Sequence, residues 1–168
     1  FLFECDHVRV LLDLIDLLLD DIHLDITYLM ISTSYIHPTH SDDQTHTNRF
    51  GRSIGSGPAT ELAATVPVGG LILESPLMSC IRVVRSTPFT LPFDLFANIN
   101  KIGKVTAPVY IFHGQSDDVI HVSHGQTLKN LCKSTIQMDW WPEDDDHCSL
   151  ENNPDFYPKL QTFLEMCI

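Results

Sequence analysis

Residues 107–125 read APVYIFHGQSDDVIHVSHG. The run PVYIF at 108–112 is apolar without interruption, which predicts a strand buried on both faces. His113-Gly114 stops it, a polar loop carries Asp117 and Asp118, and a helical pattern resumes over 124–132. Strand, loop and helix in that order form a βα unit. Working outward, residues 70–73 form a short apolar strand that ends in Glu74, Ser75 and Pro76. A third strand is predicted at 135–141, with Ile136, Met138 and Trp140 on one face, and further helices at about 57–64 and 154–166. The order helix–strand–helix–strand–helix–strand–helix predicts the α/β class, a mostly parallel sheet flanked by helices.

Upstream, Gly51-Arg52-Ser53-Ile54-Gly55 is a G-x-S-x-G sequence. A serine presented on a tight strand-to-helix turn needs small residues two before and two after it, which Gly51 and Gly55 provide. The backbone N–H of Ile54 then points where an oxyanion forms. Ser56-Gly57-Pro58 and the run 59–64 look like the helix that follows such a turn. The residues leading in, DQTHTNRF at 43–50, have only Phe50 as an apolar member, so the sequence predicts no buried strand before Gly51.

Nucleophilic chemistry at serine needs a histidine to take its proton and an acid to orient that histidine. Asp117 follows the strand at 108–112. His147 follows the strand at 135–141, within PEDDDH at 142–147. The order Ser53, Asp117, His147 is the one an α/β-hydrolase requires. Spacing alone leaves Asp118 open as the acid.

Other groupings carry less. His113, His121 and His124 with Asp117 suggest a metal set by spacing, but His113 begins a loop and His124 a helix, so no metal is expected. Cys148 beside His147 lacks turn glycines and reads as a bystander. The acidic residues 143–146 read as a solvated loop, and Trp140 and Trp141 as a strand end with one ring buried. The Pro-broken apolar stretch at 89–98 reads equally as a pocket cap or as core.

Composition bounds the rest. Across 168 residues, 22 acidic against 10 basic side chains give a net charge of −12, which argues against a nucleic-acid partner. Five scattered cysteines without a CxxC pair predict neither a disulfide framework nor a zinc knuckle. No apolar run reaches the ~18 residues that span a bilayer. The first residue is Phe1 rather than Met, which predicts a fragment.

Residues 1–48 hold nine acids and one base, Arg9, whereas every lysine lies later. This break predicts a boundary near Asn48. Before it, residues 5–24 read as an amphipathic helix with Arg9, Asp13, Asp16, Asp20 and His23 in one polar stripe, though 22–28 alternates like a strand. Residues 32–47 read as a polar linker, and His37, His40 and His46 beside Asp42 and Asp43 as solvated side chains rather than metal ligands.

Residues 49–168 resemble the C-terminal part of α/β-hydrolases of the ABHD17 (FAM108) type. The resemblance rests on FGRSIGSGPA at 50–59, LILESPL at 71–77, FDLFANINKI at 93–102, residues 107–125 and the His147 segment. It implies a depalmitoylating serine hydrolase with Ser53 as nucleophile, Asp117 as the orienting acid and His147 as the general base. It implies acylated proteins or small acyl esters and thioesters as substrates, no cofactor, and a cytoplasmic protein peripheral at membranes. In that family an N-terminal half supplies the first strands, a His-Gly loop with a second oxyanion N–H, and a lipidated Cys-rich tail. Residues 1–48 match none of these and contain no Gly, so they are expected to be an unrelated segment. The alternative expectation is an inactive hydrolase fragment or a non-catalytic interaction module.

Overall fold

The computed structural model describes residues 47–85, 87–90, 92 and 94–167. The helix expected at 5–24, its strand alternative at 22–28 and the linker histidines His37, His40 and His46 lie outside the described residues. Four strands, β1 (Asn48–Arg52), β2 (Gly70–Glu74), β3 (Val109–Phe112) and β4 (Gln137–Trp140), form one sheet in the order β1-β2-β3-β4. Every pairing is parallel. The helices are α1 (Ser56–Thr65), α2 (Cys80–Val84), α3 (Ser123–Leu131) and α4 (Phe156–Glu165). The parallel α/β architecture is the one the sequence predicts, with strand and helix ends displaced by one or two residues.

β3 is central and all four of its residues are buried, which explains why it reads as an unbroken apolar run. Alternate residues serve two layers. Leu71, Leu73, Val109 and Ile111 pack with Ala59 and Ala63 of α1 and Leu128 of α3. Ile72, Tyr110 and Phe112 pack with Phe156 and Phe163 of α4 and with Leu150. Each large side chain so buried contributes about 1.5–3 kcal/mol. No described helix is long and apolar enough to cross a membrane.

The missing strand before Gly51 is a correction. β1 is present and pairs along its whole length with β2, from Asn48↔Gly70 to Arg52↔Glu74. Its stability comes from backbone pairing, which leaves no trace in side-chain pattern. Phe50 adds packing against the α4-side core, and Gly51 faces α1 with no side chain to read.

Candidate active site

β1 delivers Arg52 into a 3-10 turn, Ser53–Gly55, that runs directly into α1. Ser53 has φ of 51°, a left-handed conformation that costs a β-carbon residue free energy and is characteristic of functional turns. The close quarters explain the glycine two residues earlier. A Cβ on Gly51 would lie 2.6 Å from the Gly55 carbonyl oxygen and 2.7 Å from the Ala59 Cβ. Ser53 itself is fully buried, and Ile54 follows it with its side chain against Leu77, Cys80 and Ile120.

Asp117 follows the carboxyl end of β3, and His147 lies in the loop after β4. Both meet Ser53 at one rim of the sheet, where open parallel sheets place their ligand sites. His147 Nδ1 is 2.7 Å from Asp117 Oδ2, and His147 Nε2 is 3.0 Å from Ser53 Oγ. Because the carboxylate only accepts, Nδ1 carries the proton and Nε2 is left to accept from the serine hydroxyl. Asp117 Oδ1 accepts from the backbone N–H groups of Val119 and Ile120 at 3.0 and 2.8 Å. Burial alone would raise the Asp117 pKa. The hydrogen bonds from His113, His147 and the Ile120 backbone outweigh it and hold the carboxyl well below its usual range. Asp118, the other candidate acid, is exposed.

Two loops are zipped together to bring these residues into register. The Gln115 and Ser116 N–H groups donate to the Pro142 and Asp145 carbonyls at 2.8 and 3.0 Å. The side chains of Gln115 and Ser116 reach the Trp141 and Glu143 carbonyls at 2.8 and 2.9 Å. The acidic stretch is therefore more than the solvated loop expected of it. Asp145 is buried and accepts from Ser149 and Asn153, while Asp146 accepts the N–H groups of Cys148 and Ser149.

The three neighbouring histidines have separate tasks. His113 Nε2 faces the Ile120 carbonyl, His121 Nδ1 lies beside Ser123 Oγ, and His124 Nδ1 accepts from the Met78 N–H. Burial first, then the neighbouring His113 and His121, push His124 down to about 4. Of the stretch at 89–98, Phe89 is exposed, whereas Leu95 and Phe96 pack over the apolar cluster beside Ile54.

Sequence reasoning passed over Arg52 and Glu74. The Arg52 guanidinium donates to the His147 carbonyl oxygen at 3.1 Å, pairs with Glu151 at 3.2 Å, and lies 3.5 Å from Glu74. It thus ties the strand before Ser53 to the loop carrying His147. A charged residue closing the apolar run LILE was the one visible hint. Burial pushes the Glu74 carboxyl up to about 8, with Arg52 offsetting part of this and Glu151 adding to it. A carboxyl raised in the folded state contributes stability at low pH that is lost as pH rises through the folded value. Glu74→Gln is therefore expected to gain stability relative to the parent chain as pH climbs from 4.5 to 8. Parallel melting curves across that range check it; a constant difference in melting temperature contradicts it.

Comparisons with known proteins bear on the fold and on sequence kinship. No protein-family model matches the chain. An esterase of Pyrococcus furiosus superposes with a TM-score of 0.58 at 16% identity, covering 73% of this chain and 54% of that one. The chain is 40% identical over 116 residues to human alpha/beta hydrolase domain-containing protein 17B, covering 68% of this chain and 40% of the relative. The chain has the α/β-hydrolase fold and is similar in sequence to that protein. To protein 17B of Xenopus laevis the chain is 36% identical over 143 residues, 84% of its own length and 47% of the relative's. That match is longer than the stretch from residue 49 to 168, so it reaches upstream of Asn48. The chain spans less than half the length of either relative.

Proposed function

We propose that the chain is a serine hydrolase of acyl esters or thioesters that works through an acyl-enzyme. The observation that carries this reading is the continuous contact from Asp117 Oδ2 through His147 to Ser53 Oγ, at 2.7 and 3.0 Å. In the proposed reaction Ser53 Oγ attacks the acyl carbonyl carbon as His147 Nε2 takes its proton. Asp117 holds the imidazole in the required tautomer and stabilises the imidazolium. The Ile54 N–H donates to the oxyanion. His147 passes its proton to the departing alcohol or thiol, leaving the acyl group on Ser53. Water then attacks that ester, giving its proton to His147, and the free acid departs as Ser53 regains its proton.

Similarity to the domain-containing 17 proteins favours long-chain acyl groups on protein cysteines as substrates, met at a membrane surface. The partly buried apolar side chains Val83, Leu95, Phe96 and Val119, packed on the cluster around Ile54 beside the nucleophile, suit an apolar acyl chain. A second reading, a chain that keeps the arrangement without turnover and serves as an interaction module, draws on the complete burial of Ser53. Labelling with a fluorophosphonate reagent separates the two. The hydrolase reading expects labelling of the parent chain that disappears in Ser53→Ala and in His147→Ala. A folded parent chain that resists the reagent overturns it.

A further inference from the structure

We infer that His113 is a positioning residue that aims the Asp117 carboxylate at His147; the inference rests on the serine-hydrolase reading for its purpose, though not for its test. His113 is fully buried. Its Nε2 lies 2.6 Å from the Ile120 carbonyl oxygen and 3.1 Å from Asp117 Oδ2. A carbonyl can only accept, so Nε2 carries the proton and donates it to Ile120, with Asp117 Oδ2 close beside the same N–H. Ile120 in turn donates its own N–H to Asp117 Oδ1 at 2.8 Å. The imidazole therefore holds the Asp117–Ile120 turn from outside while keeping that N–H beside the carboxylate oxygen that His147 uses.

Packing does not explain the ring. Among the described residues its Nδ1 has no hydrogen-bond partner, and a buried nitrogen left unpaired costs free energy. An apolar side chain of similar volume would fill the space without that cost. Gly125 is part of the same arrangement, since a Cβ there would lie 2.8 Å from Nδ1 and 3.0 Å from Trp141 Cζ3. The neighbourhood is thus shaped to admit the ring, and only Nε2 is put to use. Without the Nε2 donor Asp117 retains its two backbone donors on Oδ1 but loses the one beside Oδ2. The oxygen facing His147 is then free to swing, and small displacements in such constellations carry large kinetic penalties.

The test compares His113→Gln, whose amide N–H reaches close to the Nε2 position, with His113→Met, which fills volume without a donor. Two readouts are taken at matched folded fraction: the rate of fluorophosphonate labelling, and the downfield proton resonance of the His147 Nδ1–Asp117 hydrogen bond. His113→Met is expected to label about tenfold more slowly or worse and to shift or lose the resonance, and His113→Gln to restore most of both. Should His113→Met fail to fold, His113→Asn takes its place, because its shorter amide falls short of the Ile120 carbonyl. An unchanged resonance in the donor-free variant, or equal loss in both variants, overturns the inference. If the parent chain does not label while the resonance still responds to the donor, the hydrolase reading falls and the positioning role of His113 stands.

Discussion

Asp117→Asn is expected to lower turnover of a chromogenic ester by on the order of 10⁴-fold, with KM little changed. The geometry fixes which way the amide must face. Oδ1 is held by the N–H groups of Val119 and Ile120, so the amide oxygen takes that side. The NH₂ group is then left against His147 Nδ1, which becomes an acceptor. The imidazole proton moves to Nε2, the nitrogen 3.0 Å from Ser53 Oγ, and a protonated nitrogen has no lone pair for the serine proton. The substitution leaves volume and fold intact while presenting the wrong tautomer. Asp118→Asn, at the exposed neighbouring carboxylate, is expected to leave turnover unchanged. Equal effects of the two substitutions would exclude Asp117 as the orienting acid.

Gly114→Ala is expected to reduce the labelling rate on the order of 10²-fold. A Cβ at this position would lie 2.1 Å from the Asp145 carbonyl oxygen, 2.6 Å from its carbon and 3.2 Å from the Asp146 nitrogen. These are backbone atoms and cannot turn aside as a flexible side chain would, so the segment two residues before His147 must move. The movement also strains the bonds from Gln115 and Ser116 that zip the two loops, and overpacking of this kind destabilises by about 1–3 kcal/mol. Gly103→Ala is the matched control. Its Cβ would meet only the Leu131 carbonyl at 3.3 Å and the Lys133 side chain at 3.9 Å, and it is expected to label nearly as the parent does. Paired labelling and melting measurements check both expectations; unimpaired labelling of Gly114→Ala would mean that the loops yield without disturbing His147.

The residues most legible in the sequence were those answering to a single strong constraint. β3 could be read because a strand buried on both faces must be apolar throughout. Ser53 could be read because a left-handed turn packed on a helix admits few neighbours. Gly114 belonged to a visible strand stop, but its closeness to Asp145 depends on a loop some thirty residues away. β1 was illegible for the opposite reason: one of its central positions is a glycine, and its polar members are held by pairing with β2 and by the Arg52 network. Asp117 and Asp118 were equivalent in spacing, and only burial beside His147 separates them. His113 and Glu74 look ordinary in the chain, and their significance arises from what the fold brings beside them.

The four strands are all parallel, so every link between neighbours is a crossover. Ser53 and His147 are 94 residues apart in the chain when they touch. Such pairings form only after long loops have closed, which makes them slow and late in assembly. A half-collapsed molecule can hold helices and a core and yet lack the Ser53–His147 contact. A stoichiometric active-serine reagent therefore counts molecules that have finished folding, and its burst during refolding times the closure of the last crossover rather than the appearance of secondary structure.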